Sequence, residues 1–387
     1  ININAQEIEN TKFNKFFDAW KDSSKTGVVA GVVKDGNVIF LKAFGTANLE
    51  SKEKNTVQTK FMVDGFAKQF TVLSALILEQ KSVISFEDNI RKYLPNFPKY
   101  KHAIQIKHLI NHSSGLSNLI PIKRLLKGRR ADVFTQKDAL NIIESQKELD
   151  FKPGTQFSYH QSETEIILLA EIIAKTSGKS FVSFTSEEVF KPLKMENSTF
   201  KLTEKSKTQL AQIYKDDGTT RPMNRFTSLA AASLFTSTAD LSNFLKANIE
   251  SNPVLSKETI MKMSKSETFI NDIGVYGLGP HLYSQNDPNS TIIGHDGSGN
   301  NAINTAVRID LKSKNGIIIL ETGNYNLASS LADEWIFWKA GIADYVVMQR
   351  NKSYILSLLV VGYIIIIVIS IFLIRKNKVK KSTKNIL

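Results

Sequence analysis

Cysteine is absent from all 387 residues, which excludes a disulfide framework and a thiolate metal site. The absence fits an exported bacterial protein without requiring export. No His, Asp and Glu spacing reads as a metal site, and no cofactor is implied. Internal repeats are missing, and low complexity is confined to the tail. Acid is missing from the last thirteen residues, RKNKVKKSTKNIL, which hold six of the basic residues behind a formal net charge of +13. Charge of either sign is missing from Tyr354 to Ile374, YILSLLVVGYIIIIVISIFLI.

That uncharged run, at about 1.5 Å per residue, spans roughly 30 Å, the thickness of a bilayer's hydrocarbon core. A core helix of a soluble domain seldom stays apolar on every face for that length. Residues 354–374 are therefore expected to cross a membrane, and residues 375–387 to form a basic cytoplasmic tail, because basic flanks stay inside. Everything before residue 350 then lies outside, in a single-pass protein of the bacterial cytoplasmic membrane. Residues 1–6, ININAQ, read as a signal-peptide remnant cleaved near Ala5; a shortened chain would begin the same way.

The present residues divide the rest of the chain. Glu7 to Ser23 places Ile8, Phe13, Phe16, Phe17 and Trp20 on one helical stripe. GVVAGVVKDGNVIFLKAFG predicts two strands around an Asp35-Gly36 turn. A buried helix is expected over residues 65–80, and helix and loop over about 85–250. NTAVRID and NGIIILETG predict strands joined by a turn at Asn315-Gly316, and a last helix runs from about Ala328 to Lys339. Strands at both ends with helices between predict an α+β fold, an antiparallel sheet beside a mostly helical subdomain. The domain spans 7–345, with 346–353 linking it to the membrane span. From Lys123 to Arg130, KRLLKGRR packs five basic residues into eight. It reads as a solvated face, with anionic envelope polymer or lipid head groups as the functional alternative. An outward-facing domain would not meet nucleic acid.

The chemistry gathers at FMVDGFAKQFT, residues 61–71. A helix N-terminus offers free N–H groups and partial positive charge. A nucleophile on its first turn, with a lysine three residues later, is poised to lose its proton. Gly65 and Lys68 have that layout, but Gly65 has no side chain.

FMVDGFAKQFTVLSALILEQ…EDNIRKYLPNFP resembles the serine β-lactamase and penicillin-binding group, in its class C β-lactamase and D-alanyl peptidase or esterase branch. In order follow IQIKHLINHSSGLSN, FKPGTQFSYHQSETEIILLAEIIAKTSGKSF, FKPLKMENSTF, LFTSTADLSNFL and GHDGSGNN, so the resemblance covers roughly residues 10–340. It implies the β-lactamase/transpeptidase-like fold. That branch carries Ser-x-x-Lys, Tyr-x-Asn and Lys-Thr-Gly or His-x-Gly motifs. Lys68 matches the lysine, Tyr159 the tyrosine, and His295-Asp296-Gly297 the third motif. The resemblance implies that Lys68 and Tyr159 share the general-base role. His295 would add partly cationic character near a substrate carboxylate, with Gln161, Gly297 and Ser298 as substrate contacts. The N–H groups of residues 65 and 298 would form an oxyanion hole. Two residues depart from the pattern: Gly65 stands for the serine and Gln161 for the asparagine. Loss of a nucleophile of this kind costs on the order of 10⁶ in turnover.

Other residues read as structural. Tyr159 has a core alternative, and His112 in NHSSG holds a loop. Ser113, Ser114 and Ser117 lie beside the site, helical geometry turns Ser162 away from it, and Asp64 caps the helix. Three functions remain. The chain binds peptidoglycan stem peptides, D-alanyl or related acyl esters, or β-lactam-like ligands without forming an acyl-enzyme. It hydrolyses esters or amides with water activated by Lys68 and Tyr159. Or it is an inert membrane-tethered scaffold whose partner surface includes Lys123 to Arg130.

Overall fold

The computed structural model describes residues 26–118, 135–159, 162–204, 207, 209–215, 217–221, 229–250, 252–270, 273–283, 291–299, 302–323, 326–340 and 352–384. The helix expected over Glu7 to Ser23, residues 1–6, Lys123 to Arg130, Gln161 and most of 346–353 lie outside the described residues.

Strands β1 (Gly27–Lys34) and β2 (Asn37–Asn48) form the expected hairpin. Asp35 and Gly36 both take positive φ, 48° and 76°, the backbone that a two-residue hairpin turn of matching twist requires. β3 (Glu53–Lys54) extends this edge, while β4 (Phe61–Met62) and β5 (Phe235–Thr236) form a separate two-stranded ladder. The remaining strands come from the far end of the chain: β6 (Thr268–Ile270), β7 (Ile273–Tyr276), β8 (His281–Tyr283), β9 (Ile292–Gly299), β10 (Ile303–Asp310) and β11 (Asn315–Thr322). They join in the order β3-β2-β1-β11-β10-β9-β8-β7-β6, antiparallel throughout. The two chain ends therefore build one sheet, as expected.

One turn differs from expectation. The β10–β11 connection is residues 311–314, with Asn315 already paired to Asp310 and Gly316 inside the strand. Asp310 fixes this placement: its Oδ1 accepts the Lys312 N–H at 3.1 Å, and Lys314 takes the left-handed backbone at φ 56°. A side-chain-capped turn displaces the Asn-Gly signal here.

Both sheet faces are covered, so β10 and β11 read as continuous buried runs. Side chains alternate across the sheet. Val28, Ala30, Val32, Ile317 and Ile319 pack against Leu331, Ala332, Trp335 and Ile336 of the helix Leu327–Ala340. Val29, Val33, Ile318 and Leu320 belong to the larger core with Leu241 and Leu245 of the helix Thr238–Ile249. Each fully buried aliphatic side chain contributes about 1.5–3 kcal/mol.

The helices Lys68–Gln80 and Ser162–Ser177 cross the centre of this core. Helix Lys352–Lys384 stands apart. Within its segment Lys352–Arg375, long and apolar enough to cross a membrane, an 18-residue window has a mean hydropathy of 3.1 with none of it buried.

Candidate active site

Short β4 leads into a 3₁₀ turn, Asp64–Ala67, and then into the helix Lys68–Gln80. The turn is held from below. Val63 N–H donates to the Leu234 carbonyl at 3.0 Å, and Phe66 meets Phe70 and Phe244 edge-on at 5.9 and 6.4 Å. β9 runs alongside, close enough to explain two glycines of GHDGSG. A Cβ on Gly297 would lie 1.9 Å from the Val63 carbonyl oxygen, and one on Gly299 1.9 Å from Asp64 Oδ2. The first contact is with backbone, so position 297 needs a bare Cα, whereas at 299 the Asp64 carboxylate would have to swing aside.

Gly65 differs from these. Its φ is not in the left-handed region, and a Cβ there would meet Lys68 Nζ at 3.3 Å, the Asp296 carbonyl at 3.6 Å and Tyr159 Oη at 3.6 Å. The nearest atom is the tip of a flexible side chain. A Cβ is therefore accommodated if the Lys68 tip gives by a few tenths of an ångström, which would set a seryl side chain beside an ammonium and a phenol. Nothing in the backbone demands glycine at this position.

Sequence reading brought together residues 65, 68, 159 and 295, and the structure puts the last three on one hydrogen-bonded chain beside Gly65. Lys68 Nζ donates to Tyr159 Oη at 3.3 Å, and Tyr159 Oη lies 3.1 Å from His295 Nε2. His295 Nδ1 is 2.6 Å from the Asp296 carbonyl oxygen. A carbonyl only accepts, so Nδ1 carries the proton and Nε2 receives the phenolic O–H. The chain thus has one direction, from Lys68 through Tyr159 to His295.

Electrostatics set the resting protonation. Burial raises the Tyr159 pKa, and the pull of Lys68 only partly offsets it. Burial opposes the charge on Lys68, but Tyr159, Asp64 and Glu163 outweigh it and the pKa rises. Lysine and tyrosine both hold their protons in the ligand-free site. Burial, His281 and Lys68 push His295 well below its ordinary value. The expected cationic character of His295 is therefore incorrect: a ring 1% exposed, facing an ammonium, stays neutral.

A cleft of about 390 Å³ opens over this chain, lined by Asp64, Gly65, Lys68, Tyr159, Ser298 and others. Ser162 also lines it, contrary to expectation. The helix begins at Ser162, so helical periodicity does not relate that residue to Tyr159. Asp64 does not cap: the cap position is Val63 without a side-chain bond, and Asp64 itself sits at φ 44°. A non-glycine residue held there is strained backbone beside a site. Ser113, Ser114 and Ser117 bond to Asn111, Glu165 and Asp150, away from Gly65.

Behind Tyr159 lies a polar network that sequence reading only half saw. His112 holds its loop as expected, and its ring meets Tyr159 edge-on at 4.9 Å. Its Nδ1 is 2.6 Å from Glu165 Oε2, and its Nε2 is 3.2 Å from Tyr276 Oη. Glu165 Oε1 accepts from Ser114 Oγ at 2.6 Å. Burial pushes the Glu165 carboxyl up to about 8 and His112 well below its ordinary value, so both are neutral near pH 7. Glu165 was legible as an acid on the buried stripe of SETEIILLAEII. Arg308, fully buried, grips Asp296 Oδ1 at 2.6 Å and Asp333 Oδ1 at 3.2 Å. It ties the third-motif strand to the helix Leu327–Ala340. Nothing in the sequence marked that arginine as internal.

The beta-lactamase family profile matches residues 13–339. Protein flp of Staphylococcus aureus strain MW2 is 26% identical over 313 residues, 78% of this chain and 60% of its own length. The chain thus spans about 60% of the curated relatives it matches first. Among solved structures, the octameric penicillin-binding protein homologue from Pyrococcus abyssi superposes with a TM-score of 0.73 at 26% identity, covering 85% of this chain and 76% of that one. A beta-lactamase/D-alanine carboxypeptidase from Pseudomonas syringae has the same fold at 17% identity, with a TM-score of 0.73 over 86% of this chain and 99% of its own. This chain belongs to the beta-lactamase family.

Proposed function

We propose that this protein is a membrane-anchored binder of D-alanyl peptides, D-alanyl or related acyl esters, or β-lactam-like ligands, which it holds without forming an acyl-enzyme. One observation carries the reading. At Gly65, where a Cβ would lie within 3.6 Å of Lys68 Nζ and Tyr159 Oη, there is no side chain to be acylated. Lys68, Tyr159 and His295 persist, so a bound carbonyl would still face an ammonium and an oriented phenol. The apolar helix and its basic end support a single-pass anchor, with the domain outside the cytoplasmic membrane and the C-terminus in the cytoplasm. The basic stretch Lys123 to Arg130 supports contact with anionic envelope polymer. The test is to incubate the full chain in detergent with a fluorescent penicillin and weigh it intact. The unmodified mass is expected; a stoichiometric adduct would sink the proposal.

A second reading rests on the same geometry. A water at the absent hydroxyl's place, beside Lys68 and Tyr159, could attack an ester directly. Since both groups hold their protons at rest, such a step first requires Lys68 or Tyr159 to lose one. Slow hydrolysis of nitrocefin that falls at least tenfold in both Lys68→Ala and Tyr159→Phe would favour it, general-base removal costing roughly 10²–10⁴. Equal rates in the variants would eliminate it.

A further inference from the structure

The carboxylates of the cleft are not equivalent. Asp296 is neutralised by buried Arg308, 2.6 Å away. Asp64 lies beneath, against Gly299 and within the field of Lys68. Glu163 also lines the cleft, half-buried, on the first turn of the helix Ser162–Ser177. Among the described residues, no hydrogen bond or ion pair reaches its carboxylate. Burial raises its pKa, while the field of Lys68 and the helix N-terminus act the other way and favour its charge.

Lys68 is the sole lysine or arginine among the described lining residues, and it is committed to Tyr159. His295 is neutral. Among the described lining residues a ligand's carboxylate would therefore face Asp64 and Glu163 with no cation besides Lys68, and like charges in a half-buried cleft repel. A ligand's ammonium would find Glu163.

We propose that Glu163 is a specificity-determining residue that selects ligands carrying a protonated amine, not a carboxylate, beside the bound acyl group. This rests on the ligand-binding reading above and narrows it. An aminoacyl ester or amide with a free amine is the chemical class that fits. One whose amine is blocked, or whose far end is a carboxylate, does not.

The test compares three probes by calorimetry on the full chain in detergent: D-alanine methyl ester, its neutral N-acetyl derivative, and N-acetyl-D-alanyl-D-alanine. The charged amine is expected to bind about tenfold more tightly than the neutral probe, as a charge-assisted hydrogen bond would give. Glu163→Gln should abolish that ratio, and Glu163→Asp should keep part of it. Binding of the neutral or the carboxylate probe at least as tightly as the amine would overturn the inference alone. So would a ratio unaffected by Glu163→Gln. No binding of any probe would overturn the ligand-binding reading together with it.

Discussion

Replacing Glu165 by Gln tests whether the network behind Tyr159 is neutral, and the outcome follows from counting protons. In the folded chain Glu165 and His112 hold one titratable proton between them, the carboxyl retaining it up to about pH 8. Unfolded, the carboxyl titrates near 4.5 and the imidazole near 6.5. Below about 4.5 the unfolded state binds the extra proton and stability rises with pH. Between about 4.5 and 6.5 both states hold one, and this pair contributes no slope. From 6.5 to about 8 only the folded state holds one, so stability falls as pH rises. At about 1.36 kcal/mol per unit over about 1.5 units, the loss is about 2 kcal/mol, or roughly 3–6 °C in Tm. Glutamine reproduces the neutral carboxyl: its carbonyl accepts from Ser114 and its amide donates to His112 Nδ1. Glu165→Gln should therefore fold and lose the alkaline fall, whereas Glu165→Ala should cost about 2–5 kcal/mol through an emptied, unsatisfied site. Thermal unfolding of the full chain from pH 5 to 9 reads both. A parent curve flat from 6.5 to 8.5 would refute the reasoning, as would Glu165→Gln falling in parallel with the parent.

Two further outcomes follow from packing. Gly297→Ala would set a methyl 1.9 Å from the Val63 carbonyl, so β9 and the Asp64–Ala67 turn must part; a loss of about 1–3 kcal/mol in chemical denaturation is expected, and an unchanged midpoint would contradict that contact. A chain ended at residue 345 should leave the membrane fraction for the soluble one, since the side chains from Tyr354 to Ile374 are exposed and pack on nothing in the domain. Persistence in membranes would show a second means of attachment.

Much of the architecture was legible because it depends on local signals. The Asp35-Gly36 hairpin needs positive φ at two adjacent residues, which the dipeptide supplies. The β10–β11 turn was misplaced because Asp310, by bonding to its own loop, outbid the Asn315-Gly316 signal. Lys68, Tyr159 and His295 were found through ordered motifs, and they do meet. Their protonation was not readable, because it depends on burial contributed by residues far along the chain. His295 loses its charge to a core and to His281, neither visible in GHDGSG. Glu163 and Arg308 escaped notice for the same reason: their meaning lies in which neighbours are charged, a property of the folded cleft.

The central claim is that the nucleophile is missing from a place around which Lys68, Tyr159 and His295 remain arranged. Gly65→Ser places a hydroxyl beside Lys68 Nζ and Tyr159 Oη without backbone strain. Intact mass spectrometry of Gly65→Ser and the parent, each incubated with the same penicillin, measures this directly. The account predicts a covalent adduct approaching one per chain in Gly65→Ser and none in the parent. An adduct on the parent, or a folded Gly65→Ser protein that stays unmodified, would contradict it.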